Sequence, residues 1–305
     1  MARALRAATR RSTLARTQTD HVAALLGTEL DVVLVETTAD RRPDIPLWDL
    51  GGQGAFVTEV QAAVLEGRAD IAVHSAKDLR STPTEGLVIA AVPEREDPRD
   101  ALVGSTLDTL PVGGRVGTGS VRRRAQLSWL RPDLTFGGLR GNIETRLNAA
   151  GQFDAIVVAH AALRRLGRTA AATEVLDPAV MLPQVAQGAL AVECRTGDER
   201  VRSLLAAIEH GSSRRAVDAE RAFLAELGGG CDRPVGAFAT VDGDGRVHLD
   251  ALVASGDGRI LFREQAEGDD PSTVGRDLGR ALLDRAGAAQ ILDEAAPTVA
   301  AVPRG

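Results

Sequence analysis

Strand-like and helix-like segments alternate through the first two-thirds of this chain, and that alternation restricts the fold more than any other feature. Leu5 to Ala8 reads as a strand, and Ser12 can cap a helix running to about Leu26. Val32 to Thr37 is strand-like. Gly54 to Leu65 carries Phe56, Val60, Ala63 and Val64 on one helical face. Ile71 to Val73 and Leu87 to Val92 follow as short apolar runs. After the charged stretch Pro93 to Asp100 a second round begins. It has a strand at Arg115 to Gly117, helices at Ser120 to Trp129 and Gly141 to Ala150, and a buried strand at Ala155 to Val158. Such βαβ order belongs to mostly parallel sheets with helices on their faces. A faint internal echo links Asp70 to Arg80 with Asp154 to Arg164: each has Asp, an apolar strand, His, then Leu-Arg. Two similar α/β domains facing across a cleft are therefore expected.

The last third changes character. Val235 to Val241, Val247 to Ala254 and Ile260 to Gln265 alternate like strands. Asp242-Gly243-Asp244-Gly245 and Gly256-Asp257-Gly258-Arg259 supply hairpin turns. A helix from about Ser272 to Ala286 completes a small α+β domain, and the tail after Ala295 reads as disordered. Linkers are expected near Val92 to Asp97, around Leu182 to Ala186, and at His210-Gly211-Ser212. The expected division is 1–92 with 186–209, then 95–182, then 212–305.

Composition narrows the function. With 305 residues, two or three domains are expected. The net charge of −6 argues against a general polyanion binder, and the absence of tyrosine against base-stacking platforms. No apolar run reaches membrane-spanning length and no signal peptide is evident, so a cytoplasmic protein is expected. The five histidines are scattered without metal-ligand spacing, so no metal is expected.

The basic residues are informative because all but one are arginine. The exception, Lys77, precedes Asp78 in the loop after the Ile71 strand, where α/β proteins place their chemistry. Lys is a compact point charge and Arg a planar fork, so the two are not interchangeable. The plain alternative is an exposed ion pair of little consequence. Gly117-Thr118-Gly119-Ser120 opens a helix bearing Arg122, Arg123 and Arg124, a natural anion site of free N–H groups and helix dipole. At least one of three consecutive arginines must point away. Arg140 and Arg146 flank another helix-opening turn, and Arg164 and Arg165 follow the Ala155 strand. No Walker or complete dinucleotide fingerprint occurs, so a substrate with several carboxylates suits the set better than a nucleotide. Cys231 follows three glycines in a loop that permits close approach of a bulky group, with Arg233 nearby to favour the thiolate. Cys194 sits in a strand pattern and reads as inert core. The residues alone leave open an enzyme or a non-catalytic anion-binding protein.

In order along the chain stand Arg6-Ala-Ala-Thr-Arg10-Arg-Ser12, Gly51-Gly52-x-Gly54-x-Phe56, Asp70 to Asp78, Glu94 to Ala101, and Val116-Gly-Thr-x-Ser-x-Arg122-Arg123. Leu139-Arg-Gly-Asn142, Leu182-Pro183 with Gln187-Gly-Ala189, Glu193-Cys-Arg195 and Gly229-Gly-Cys231 complete the set. This series resembles the porphobilinogen deaminase (hydroxymethylbilane synthase) family of tetrapyrrole biosynthesis over nearly the whole chain. The resemblance implies two periplasmic-binding-protein-like α/β domains flanking a cleft, plus a small α+β C-terminal domain with an antiparallel sheet. It implies a transferase that condenses four porphobilinogen molecules head to tail with loss of ammonia. The condensation proceeds on a dipyrromethane cofactor joined to Cys231 by a thioether, and releases hydroxymethylbilane. Asp78 is the implied catalytic carboxylate, stabilising the electron-poor azafulvene cation and taking the proton lost on rearomatisation. Lys77, Ser120, Arg122, Arg123 and Gly188 are the implied cofactor-binding residues. Arg10, Ser12, Phe56, Arg140, Arg146 and Arg165 are the implied substrate-binding ones. The partner is the small molecule porphobilinogen, with no nucleic acid or membrane, and a monomer is expected.

The chain departs from the family pattern at five places. Asp49 and Gln53 stand where lysines are usual, Gly119 for a serine, Ala186 for a glycine, and Thr13 for a proline. Asp49, Gln53 and Gly119 keep open a paralogue with altered turnover.

Overall fold

The computed structural model describes residues 4–41, 54, 56–229, 233–285 and 287–293. Thirteen strands form three sheets among these residues. The first contains β1 (Leu5–Arg10), β2 (Leu30–Val35), β3 (Ile71–Ser75), β4 (Leu87–Ala91) and β10 (Leu190–Arg195), in the order β2-β1-β3-β10-β4. The second contains β5 (Asp100–Val103), β6 (Arg115–Gly117), β7 (Thr135–Gly137), β8 (Ala155–Ala159) and β9 (Glu174–Val175), in the order β7-β6-β8-β5-β9.

The two orders are the same pattern. In each sheet four strands run the same way, and the fourth position is filled by the one antiparallel strand, which enters after the chain has crossed from the other lobe. The chain thus crosses between β4 and β5 and returns between β9 and β10. The central strands β3 and β8 are almost wholly buried, covered on both faces, and so their apolar runs Ile71–Val73 and Ala155–Val158 are legible.

The sequence echo falls on these equivalent strands. The Asp70 carboxylate accepts from the Arg6 backbone N–H at 2.9 Å, and Asp154 accepts from that of Arg115 at 2.7 Å. Each aspartate ties its central strand to the neighbouring parallel strand. His74 lies 3.1 Å from Glu193 and His160 lies 2.9 Å from Asp97, so the echo extends to a histidine–carboxylate contact in each lobe.

The third unit is an antiparallel meander of β11 (Val235–Val241), β12 (Val247–Ala254) and β13 (Leu261–Gly268). Helices Gly211–Glu226 and Pro271–Leu283 pack against it. They approach closely because Gly275 and Gly279, one turn apart, face the partner helix. A Cβ on Gly275 would lie 2.2 Å from the Ala219 carbonyl oxygen. The largest core cluster, centred on Phe223, joins these helices to the sheet and to Val92, Val185 and Ala189 of the crossings.

Several expectations need correction. The expected linker at His210-Gly211-Ser212 is the start of a helix of 16 residues. The His210 ring Nδ1 accepts from the Ser213 N–H, which satisfies the first turn and lets Gly and Ser stand there. The charged stretch ending at Asp100 runs into β5, whose aspartate is fully buried. The helix expected from Gly54 starts at Thr58, since the Gly54 carbonyl accepts from Val57 and Thr58 in a preceding turn. The helix expected from Gly141 starts at Ile143, with Asn142 as its cap. The expected disordered tail lies outside the described residues.

Candidate active site

β3 ends in a short turn, Ala76–Asp78, that projects Lys77 and Asp78 from the edge of the first sheet. The Lys77 carbonyl accepts from Gln184 Nε2 at 3.4 Å, and its Nζ donates to Gln187 Oε1 at 3.3 Å. Burial lowers the Lys77 pKa to about 8, with Asp78 opposing the shift and Arg123 adding to it. Asp78 is half-buried beside it.

Across the cleft, Ser120 caps the helix Val121–Leu130, accepting from the Arg123 N–H at 3.4 Å. All three following arginines are buried, and one of them, Arg124, points away from the other two as expected. Arg122 donates to Asp100 Oδ2 at 2.7 Å and to the Leu182 carbonyl. Arg123 donates to Asp100 Oδ1 at 2.8 Å and to the Val157 carbonyl at 2.9 Å. Arg124 turns toward the third unit and donates to the Gly256 carbonyl. Burial would raise the Asp100 pKa, but the two guanidinium groups outweigh it and hold the carboxyl well below the usual range. Gln187 joins this group to Lys77, because its Nε2 donates to Asp100 Oδ1 at 2.9 Å. One buried polar chain therefore runs from Lys77 through Gln187 and Asp100 to both arginines. Arg122 Nε is buried with no hydrogen-bond partner.

Arg146 lies in the field of Arg123 and Arg140. Arg146 Nε donates to the Gly141 carbonyl at 2.9 Å. Burial lowers its pKa to about 10; Arg123 and Arg140 push the same way and Asp78 opposes, so these four groups share one field. Arg165 donates to the Gly188 carbonyl at 2.7 Å, and burial lowers its pKa to about 10. Arg146 and Arg165 thus remain charged at neutral pH. Arg10 stacks over Phe56, 4.3 Å from the ring centroid, while Ser12 caps the helix Thr13–Leu26. Gly188 has φ +89°, and a Cβ there would lie 2.2 Å from the Glu96 carbonyl oxygen, so only glycine fits where the two crossings touch.

A pocket lined by Lys77, Ser120, Arg122, Gln184, Val185, Leu224, Arg233 and Val235 brings the two lobes and the third unit together. Its lining holds cations, amide and hydroxyl groups and apolar side chains, but no carboxylate. Cys231 lies outside the described residues; the residues on either side of that segment are held. The Gly229 N–H donates to the Leu224 carbonyl, and Arg233 donates to that of Leu227 at 3.1 Å. Sequence reasoning did not single out Asp100, Gln184 or Leu224 for the site. Asp100 and Gln187 lay within quoted motifs, but nothing in the sequence pairs a strand aspartate with arginines more than 20 residues away.

Two of the family departures have local explanations. Thr13 is the first residue of its helix, the position where proline is usual because its missing N–H costs nothing there. Gly119 is confined: a Cβ would sit 2.8 Å from the Leu139 carbonyl oxygen. Ala186 takes φ +59°, the only described non-glycine residue with positive φ, and its buried N–H donates to Glu220. Asp49 and Gln53 lie outside the described residues.

Two α/β lobes meet at a pocket lined by Lys77, Arg122 and Arg233, the arrangement of a two-lobed anion-binding cleft, and Asp78 stands next in the chain to Lys77. Residues 5–203 match the family described as porphobilinogen deaminase, dipyromethane cofactor binding domain, and residues 215–284 match the porphobilinogen deaminase C-terminal domain. The porphobilinogen deaminase of Acidothermus cellulolyticus is 49% identical, over 94% of this chain and 91% of the relative. Those of Syntrophobacter fumaroxidans and Roseiflexus castenholzii are 45% and 46% identical, over 96% and 95% of this chain and 98% and 99% of the relatives. The chain belongs to the porphobilinogen deaminase family. It is a transferase of tetrapyrrole biosynthesis with a dipyrromethane cofactor-binding domain.

The low Lys77 pKa carries a pH prediction. An ordinary lysine titrates near 10.4, so this ammonium is lost at lower pH than usual. The cofactor-holding role proposed below for Lys77 needs the charged form, which fades as pH rises through about 8. The rate at which cofactor-free protein acquires its cofactor from porphobilinogen is expected to fall along an alkaline limb near pH 8. In Lys77→Arg that limb should disappear from the accessible range, because guanidinium stays charged. An unchanged limb in the variant would assign it to another group.

Proposed function

We propose that the cleft is the site of stepwise porphobilinogen condensation, with these residues in these roles. Asp78 offsets the positive charge that builds on the porphobilinogen pyrrole as ammonia leaves, and takes the ring proton after the carbon–carbon bond forms. Cys231 carries the cofactor through a thioether. Lys77, Ser120, Arg122, Arg123 and Gly188 hold the cofactor, and Arg10, Ser12, Phe56, Arg140, Arg146 and Arg165 hold substrate rings and their acidic side chains. When bound, dipyrromethane supplies a nucleophilic pyrrole carbon on which units are added.

The observation that carries this reading is the pocket between Lys77, Ser120 and Arg122 on one side and Leu224, Arg233 and Val235 on the other. The chemistry of the lining suits the cofactor. Acetate and propionate groups need cations, and Arg122 Nε is a buried donor without a partner. Val185, Leu224 and Val235 offer apolar surface for pyrrole rings. Asp100 already engages the forks of Arg122 and Arg123, so these two act partly by fixing the pocket's positive field.

We also propose the division 1–92 with 186–209, 95–182 and 212–305 as folding units, and a cytoplasmic monomer. A reducing compartment keeps Cys231 available for its thioether. Among the described residues no helix is long and apolar enough to cross a membrane.

Intact mass tests the central assignment. The purified protein is expected to exceed its sequence mass by two linked pyrroles, and Cys231→Ser to lack that excess. A normal loaded mass for the variant would contradict the attachment site.

A further inference from the structure

The chain after Asp78 reaches β4 through residues 79–86, which hold no regular secondary structure and are largely exposed. A catalytic group at the root of such a segment needs fixing. One pin comes from within the first lobe: Thr84 Oγ1 donates to Gln61 Oε1 at 3.1 Å. Another comes from the third unit. Arg221, on the helix Gly211–Glu226, donates through one NH2 group to the carbonyl oxygens of Arg80 at 2.7 Å and Ser81 at 3.4 Å.

We propose that Arg221 is a positioning residue for Asp78, holding the segment that begins two residues beyond it and so tying the acting carboxylate to the third unit. This inference rests on Asp78 as the acting group. The same helix supplies Leu224 to the pocket wall. It also supplies Glu220, which is fully buried and accepts from Arg95 of the first crossing and from the Ala186 N–H of the second. One helix therefore sets the wall, both crossings and the Asp78 segment together. The arginine's charge is itself supported, since Glu193 and Asp218 lie in its field against the burial that lowers its pKa. Arginine suits the task because its planar terminal NH2 carries two hydrogens and donates to two adjacent carbonyls while the guanidinium stays charged.

The test compares cofactor-loaded wild type, Arg221→Ala and Arg221→Lys by hydrogen exchange and steady-state kinetics. Arg221→Ala is expected to keep its cofactor mass, to exchange the amides of residues 79–86 at least about tenfold faster, and to leave β3 and β12 protected. Its kcat should fall about tenfold with KM nearly unchanged, as misplacement of a reacting group predicts. Arg221→Lys, able to reach one carbonyl, should recover most of both losses. Unaltered exchange in 79–86, an intact kcat, or faster exchange spread through the whole molecule would each overturn the proposal, the last by reducing Arg221 to a stability role. If Asp78→Ala keeps its turnover, the role of Asp78 fails, while the exchange result still reports whether Arg221 holds the segment.

Discussion

Asp78→Ala is expected to lower hydroxymethylbilane production by about 10³-fold, within the usual range for removal of a positioned acid–base group. The turn Ala76–Asp78 is anchored independently of the carboxylate, by the Gln184 bond to the Lys77 carbonyl and by buried Ala76 and Leu79, so the variant should fold. Asp78→Asn separates two functions. An amide retains hydrogen bonding but neither offsets a cation nor accepts a proton, so it should be nearly as impaired as alanine. A secondary effect follows from the shared field. Asp78 favours the charged forms of Lys77 and Arg146, so removing it should shift the alkaline limb of cofactor acquisition to still lower pH. Turnover within tenfold of wild type at saturating porphobilinogen would take Asp78 out of the assigned role.

Asp100→Ala is expected to cost about 3–5 kcal/mol of stability, read as a lower denaturant midpoint, because it leaves two buried guanidinium groups without their counter-ion. The carboxylate accepts from Arg122, Arg123 and Gln187, and no solvent reaches it to compensate. Asp100→Asn should cost less, since it can still accept one of these bonds. The pH dependence has a definite sign. The folded carboxyl titrates below its unfolded value of about 3.9, so its stabilisation is fully present above that value and is lost as pH falls below it. The stability gap between wild type and Asp100→Asn should therefore close in acid below about pH 4. A gap that persists undiminished there would mean the aspartate is held by packing rather than charge. Freed arginine forks should also alter cofactor retention, so loaded mass and midpoint are to be measured on the same samples.

The elements that could be read in advance are those whose pattern is local. β11 and β12 run over the expected residues, because period-two alternation and Asp-Gly turns are short-range signals. β3 and β8 were legible as apolar runs, and the echo between them marks equivalent positions in two sheets of the same order. The helix Gly211–Glu226 was not legible because its first turn is Gly-Ser-Ser, which resembles a linker until His210 caps it. β5 was hidden because its leading residue is a charged aspartate, acceptable in a core only where Arg122 and Arg123 meet it.

The site divides in the same way. Residue type alone marks Lys77, Asp78, the arginine cluster and Cys231 as chemistry-bearing, since a lone lysine before an aspartate, a glycine-led thiol and dense guanidinium forks are visible in one dimension. Ordered motifs then carry the family. Which arginine faces an anion and which faces Asp100 is decided only when β5 crosses into the second lobe. The charge on the cleft side of Arg122 and Arg123 is the difference between their own and that of a buried carboxylate 22 and 23 residues away. Equally, the link from Lys77 through Gln187 to that carboxylate depends on the return crossing, with Gly188 lying against Glu96. Local chemistry is written in residue identity. Pairing across 87 or 110 residues is set by which crossings the folded chain brings into van der Waals contact, and no spacing rule encodes that.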